Sequence, residues 1–145
     1  MIAFRAARAH DLERLVALLQ DNALPTADLA AEKLRHFLVY AGESGDLHAC
    51  IGIERFEAIA LLRSLAVASA HRSKGVGRLA LCAIEAHASA LGVKRLYLLT
   101  TTAATFFERH GYRPITRDCT PDAVRRTDEF TSLCPASATL MTKDI

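Results

Sequence analysis

The apolar positions of the chain switch between a period near two and a period near 3.6, and each switch marks an element. Ile2-Ala3-Phe4-Arg5-Ala6 alternates and predicts a strand. His10-Asp11 then leads into Leu12, Leu15, Val16, Leu18 and Leu19 at helical spacing. Asn22-Ala23-Leu24-Pro25-Thr26 breaks that helix, and residues 29–37 predict a second one. Leu38-Val39-Tyr40 predicts a strand that ends in the polar turn 41–46, with residues 48–54 as its return strand. After a turn near Glu57, the apolar run 60–67 has the composition of a central strand. Val76, Leu79, Ala80, Ala83, Ile84, Ala86 and Ala88 then repeat at helical spacing up to Gly92. A buried strand follows around Leu96-Tyr97-Leu98-Leu99, and Thr101 or Thr102 is placed to cap a short helix over 103–110, closed by Gly111. Residues 112–116 and 138–141 predict two late strands, with a helix start at Thr120-Pro121-Asp122 between them. The order β-α-α-β-β-β-α-β-α-β-β predicts an α/β (α+β) mixed sheet flanked by helices, antiparallel first and then parallel across the long helix.

Composition narrows the partners. At 145 residues and 51% hydrophobic, residues 1–145 can form one domain with its own core. A net charge of +2 gives no electrostatic footprint for nucleic acid or an anionic membrane, so a small-molecule partner is expected. The first residues lack the long apolar run of a signal peptide, and no stretch reaches the length of a membrane span, so the expected location is cytoplasmic. Cys50, Cys82, Cys119 and Cys134 are widely spread and the six histidines show no ligand spacing, which predicts neither metal nor disulfide. Each cysteine is expected as a small buried or half-buried hydrophobe, and the histidines at the surface or at caps.

Candidate chemistry concentrates in Arg72-Ser73-Lys74-Gly75-Val76-Gly77, at the mouth of the long helix. A helix N-terminus presents unpaired N–H groups and a partial positive charge, and glycines let a phosphate come close. Arg72, Lys74 and Arg78 add cations. A plain strand-to-helix turn would carry the same two glycines. Gly75-Val76-Gly77-Arg78-Leu79-Ala80 also fits a dinucleotide fingerprint, but that site wants an acidic residue at the end of the next strand, which here reads Leu98-Leu99-Thr100-Thr101. No G-K-[ST] is present for a nucleoside-triphosphate loop.

Leu65-Ala66-Val67, Arg72-x-x-Gly75-x-Gly77 and the later Phe106-Phe107-Glu108-Arg109-His110-Gly111-Tyr112, read in order, resemble the GNAT acetyltransferases over most of the chain. The resemblance implies the GNAT fold and acetyl-CoA as co-substrate. It implies that Leu65, Ala66 and Val67 run beside the pantetheine arm, with backbone groups of Leu65 and Val67 pairing to it. Amides from Arg72 to Arg78 would hold the pyrophosphate, and strands ending near Val67 and near Thr100 and Thr101 would part to admit the thioester. Phe106 and Phe107 would pack in the core and line the channel. Leu61-Leu62-Arg63-Ser64-Leu65-Ala66-Val67, Leu24-Pro25-Thr26 and Glu129-Phe130-x-x-Leu133-Cys134-Pro135 are similar to the bacterial arsenic-resistance N-acetyltransferases. The segment 98–103 with Phe106-Phe107 and the tail 137–143 resemble, more distantly, the N-acetylglutamate synthases. Both imply a small amino-acid-like amine acceptor, and neither shows that arsenic is bound.

Direct transfer needs a positioned amine, an oxyanion donor and somewhere for the amine's proton to go. The resemblance implies the Val67 N–H as oxyanion donor. Where many members carry a Glu before the pyrophosphate loop, this chain has Leu61, Leu62 and Arg63, so Glu54, or Glu57 in the following turn, is the candidate base acting through water; either is equally well a solvated hairpin carboxylate. The tyrosine that many members place shortly before their Gly-aromatic pair falls at Phe107, which has no proton to give. Arg63, on an apolar strand, requires either an acceptor carboxylate or an internal one. Cys134 can approach the acceptor from the last loop, but no His or Asp partner for an acetyl-cysteine route can be assigned from spacing. Beside a small-amine acetyltransferase stand two alternatives, a weakly catalytic acyl-CoA-binding regulatory module and a peptide or protein acetyltransferase. An exposed sheet edge is compatible with a homodimer.

Overall fold

The computed structural model describes residues 2–145. Seven strands form one sheet in the order β1 (Arg5–Ala6), β2 (Phe37–Ala41), β3 (Leu47–Phe56), β4 (Ile59–Val67), β5 (Arg95–Thr100), β7 (Thr139–Asp144) and β6 (Arg113–Pro114). β1 to β4 pair antiparallel, β4 pairs β5 in parallel, and β5, β7 and β6 return to antiparallel pairing. The expected antiparallel start and single parallel step are both present.

The parallel step is made by the long helix α2 (Val76–Ala90). Val76, Ala80, Leu81, Ile84 and Ala88 form its buried stripe. At its end Gly92 takes φ +89°, and its N–H and that of Val93 donate to the carbonyls of Ser89 and Ala88, both at 3.0 Å. That left-handed exit is what a glycine at this position permits. α2 packs on Leu38, Ile51, Ile53, Leu62, Leu96 and Leu98 on one face of the sheet. On the other face, α1 (Leu12–Asp21) and the 3-10 helix Ala31–His36 cover Phe37, Val39, Cys50 and Ala66. Gly52 lets the Phe37 ring lie flat against the sheet, since a Cβ there would stand 2.5 Å from it.

Four expectations change. The second helix is the 3-10 segment Ala31–His36, because only Leu34 in that run is buried and Phe37 already belongs to β2. The first strand shrinks to Arg5–Ala6 and the late strand over 112–116 to Arg113–Pro114, since Tyr112 turns into the core and Pro114 limits the ladder. Between β6 and β7 lie α4 (Asp122–Arg125), which begins at the helix start expected at Thr120-Pro121-Asp122, and a π-helical turn, Glu129–Leu133. The short helix α3 (Ala104–Glu108) has Ala103 at its N-cap and no side-chain cap, so neither Thr101 nor Thr102 caps it; Thr100 Oγ1 accepts the Ala103 N–H at 3.0 Å just ahead of it. Among the described residues no helix is long and apolar enough to cross a membrane. All four cysteines are free, with Cys50 buried and Cys134 half-buried as expected, but Cys82 and Cys119 are exposed. His36 and His87 sit ring to ring, 3.2 Å between nitrogens.

Candidate active site

β4 and β5 pair only from Ile59 opposite Arg95 to Leu61 opposite Tyr97. Beyond that point β5 keeps its ladder with β7 as far as Thr100, while β4 bends away toward β3. The bend has a local cause. Register with β3 slips between Cys50 and Gly52, and Ser64 takes φ +62°, the signature of a bulge. The Cys50 thiol donates to the Ser64 carbonyl at 3.2 Å across it, and burial pushes that thiol up to about 12, so it stays protonated. A cleft of about 580 Å³ opens where the strands part, lined by residues 62–65 on one wall and 98–103 on the other. Loop residues 22–25 and Leu133, Cys134 and Pro135 complete its lining.

The β-ladder sets which way the backbone of β4 points. The Ala68 N–H donates to the His48 carbonyl at 2.8 Å, so Val67 and Ala49 form a pair that exchanges no hydrogen bonds with each other. The Val67 N–H therefore faces away from β3, on the side of the gap, and Leu65, two residues earlier, lies on the same edge. Ala66 alternates with them: its backbone pairs with Cys50 and its side chain is buried against the α1 side of the sheet. The structure thus sets Ala66 apart from Leu65 and Val67.

The glycine loop lies beyond the end of β4. Gly75 takes φ +77° at the N-cap of α2, and Ser73 takes φ +65°, so the loop curls ahead of the first helical turn. Ser73, Lys74, Gly75 and Arg78 are exposed. The amides of Val76, Gly77 and Arg78 open the helix and have no partner within it. Arg72 is spoken for. Its Nε donates to the Val67 carbonyl at 3.2 Å and its Nη2 to Asn22 Oδ1 at 2.9 Å, bracing the loop against the ends of β4 and α1. Lys74 and Arg78 are the loop cations left to meet an anion. The Phe106 ring stands against Gly77, while Phe107, buried, lines the cleft with Thr100 and Thr101. The Tyr112 phenol, whose ring packs on Phe107, donates to Glu85 Oε2 at 2.8 Å, and burial together with that carboxylate raises its pKa far above the usual phenol range.

Arg63 resolves toward an internal partner. Its side chain is fully buried and meets Asp28 at two points, 2.6 and 2.9 Å, with Glu54 at 3.0 Å and Glu129 at 3.2 Å. Burial opposes its charge, but these carboxylates hold it raised. Glu54 fits neither reading given for it, while Glu57 is the solvated hairpin carboxylate. Glu54 is locked between Arg63 and Lys33, 3.4 Å away, and lies outside the cleft lining; Glu57 is an exposed turn residue at φ +58°.

Glu129 carries no role in the sequence beyond its place in the Glu129-Phe130-x-x-Leu133-Cys134-Pro135 motif, because a single Glu there has no periodic signal. The π-helical turn places it on the cleft wall beside Cys134, 4% exposed. Burial pushes its carboxyl up to about 7, with Arg63 pulling back and Asp28 and Glu54 pushing further. The Cys134 thiol, 3.9 Å from Glu129 Oε1, is pushed up to about 11 by burial and by that carboxylate, so it is neutral and a poor nucleophile. Among the described residues no group of three metal-ligating side chains occurs.

Comparison with known proteins agrees with this architecture. The Acetyltransferase (GNAT) domain family matches residues 33–114. An uncharacterised N-acetyltransferase of Chlorobaculum tepidum is 36% identical over 96 residues, 66% of this chain and 61% of the relative, so the match spans about three fifths of that protein. Among solved structures, N-acetylglutamate synthase from Neisseria gonorrhoeae, complexed with coenzyme A and N-acetyl-glutamate, superposes with a TM-score of 0.85 at 19% identity, covering 99% of this chain and 35% of that one. A Mycobacterium tuberculosis protein in complex with CoA superposes at 0.81 and 21% identity, with 99% of each chain covered. At these identities the superpositions speak for the fold.

Proposed function

Since the chain belongs to the GNAT acetyltransferase family, we propose that it transfers the acetyl group of acetyl-CoA to the primary amine of a small acceptor. The observation that carries this reading is the parting of β4 from β5 after Leu61 and Tyr97, which opens a cleft along residues 62–65 and leaves the Val67 N–H, just beyond them, turned away from β3. The chain fits the co-substrate on its own chemistry. A left-handed loop with two exposed cations leads into the free amides of α2, which suits a pyrophosphate, and the unpaired edge of β4 suits an amide-bearing arm. Acetyl-CoA supplies an activated acyl group as a thioester. Val76, Gly77, Arg78 and Lys74 would hold its phosphates, Leu65 and Val67 its arm, and Phe107 would exclude water beside it. The Val67 N–H would steady the oxygen that gains negative charge during attack.

Loops 22–25 and 133–135 add to the lining of a cleft of about 580 Å³, a volume that favours a small acceptor over a peptide. An amino acid or amino-acid-like amine is the class to test first, supported by the resemblance to enzymes of such acceptors and by the neighbour complexed with N-acetyl-glutamate. Arg63 does not supply a carboxylate clamp for it, being already saturated by Asp28. Residues 1–145 act as one domain in this reading, and a chain with four free thiols suits the cytoplasm.

A second reading, an acyl-CoA-binding module with weak turnover, is favoured by one observation: Phe107 has no hydroxyl, and Tyr112 gives its own to Glu85. Isothermal titration with acetyl-CoA, followed by thiol release over L-glutamate, L-glutamine, L-lysine, tyramine and spermidine, separates the two. Binding with turnover of at least one amine is the expected result; binding without any turnover makes the chain a module.

A further inference from the structure

We propose that Glu129 receives the proton of the incoming ammonium on the wall of the cleft, an inference that rests on the acetyl-transfer reading above. Three carboxylates surround the Arg63 guanidinium. Asp28 takes the two-point contact and Glu54 a third, and both also bind Lys33, at 2.9 and 3.4 Å, on the side away from the cleft. Lys33 reaches Asp128 as well, at 3.6 Å. Glu129 has only the 3.2 Å contact to Arg63 Nη2 and the Cys134 thiol, and among the three it alone lines the cleft. Arg63 is thus already compensated from behind, and a further negative charge on Glu129 is surplus in a site that water scarcely reaches. Such a carboxylate gains by taking a proton or by meeting a cation. An ammonium entering the cleft is both.

Groups facing Glu129 come from every neighbouring element: Arg63 from β4, Glu54 from β3, Asp28 from the loop before the 3-10 helix, and Cys134 from its own turn, itself influenced by Arg117. Arg63 lowers the proton affinity of Glu129; burial, Asp28 and Glu54 raise it more, to about 7. A proton acceptor tuned there is matched to neutral pH.

The step balances. One ammonium proton passes to a Glu129 oxygen, freeing the nitrogen lone pair. The nitrogen then forms its bond to the acyl carbon as the carbon–sulfur bond breaks and its electron pair leaves with the thiolate. The remaining surplus proton on nitrogen ends on the thiolate through solvent, and Glu129 returns its proton to bulk water.

The test uses the full chain, with the best amine of the panel above and hydroxylamine, which is already neutral at about pH 8. In Glu129→Gln, turnover of the alkylamine is expected to fall by about 100-fold or more, with loss of the acidic limb of the kcat/KM profile near pH 7, while hydroxylamine turnover stays within a few-fold. An unchanged acidic limb overturns the proposal. So does an equal loss on both acceptors with acetyl-CoA binding intact, which would mark Glu129 as a brace for Arg63. Wild-type protein that binds acetyl-CoA but acetylates none of the amines overturns the parent reading, and this one with it. Independently of any variant, carbon-13 NMR of glutamate-labelled protein should show a side-chain carboxyl titrating near 7, and its absence overturns the proposal even if Glu129→Gln fails to fold.

Discussion

Arg63 and Asp28 form a two-point ion pair, at 2.6 and 2.9 Å, in which the arginine side chain has no exposure at all. The pair joins the central strand β4, where Arg63 is part of the cleft wall, to the loop before the 3-10 helix.

Removing either member leaves a buried charge without its main partner. Asp28→Ala and Arg63→Ala are each expected to destabilise the fold by about 3–5 kcal/mol in urea titration. The pH dependence follows from Asp28: burial alone would raise it, but Arg63 and Lys33 hold it down at about 2. A depressed folded-state value adds stability that is complete above the unfolded value of about 4 and lost as pH falls toward 2. Asp28→Asn should flatten that acid limb; an unaltered limb assigns it to other groups, such as Asp11.

Co-substrate binding and folding should separate at Gly77. An aspartate there meets only ordinary contact with Phe106, 3.5 Å from the Cβ position, and an acid in the first turn suits the helix. It also sets a negative charge where the phosphates are proposed to lie. Gly77→Asp is expected to weaken acetyl-CoA binding at least tenfold by calorimetry, with the melting temperature unchanged within a few degrees. Equal binding by both proteins would place the pyrophosphate elsewhere.

Cys134→Ser should retain turnover to within a few-fold, because the neutral thiol is no nucleophile in this site. Mass spectrometry of protein quenched during turnover should show no acetylated cysteine. Loss of turnover with acetyl-CoA binding preserved would instead point to a covalent route.

Glu129 has a stability signature as well. Its folded-state value, pushed up to about 7 mainly by burial, lies above the unfolded value of about 4, so the folded state holds the proton more tightly. Stability therefore declines as pH rises from about 4 to about 7. Glu129→Gln removes that decline and should gain on the wild type between pH 5 and pH 8 in paired denaturation curves. Parallel curves for the two proteins would show that the carboxyl titrates as an ordinary one.

The order of strands, the long helix and the loop at its mouth were legible in the sequence because each is written in local periods: alternation, a 3.6-residue stripe, glycines at two fixed places. The 3-10 segment over 31–36 was not, since tertiary anchoring through Leu34 alone gave too little apolar stripe for a full helix. The small β6 was overestimated because Tyr112 reads as a strand residue and serves as a core one. Arg63 was legible as a residue in need of a carboxylate, though not which carboxylate.

What the sequence determined by itself was the succession of elements, with its one parallel step, and the candidate cofactor loop, both products of residues close together along the chain; the insertion of β7 between β5 and β6 was not among them. Only the tertiary structure decided that Arg63 spends its charge on Asp28, that Glu54 faces away from the cleft, and that Glu129 faces into it. Those outcomes depend on which segments, distant in the chain, meet around one buried guanidinium, and on how far burial shifts each carboxyl once they do.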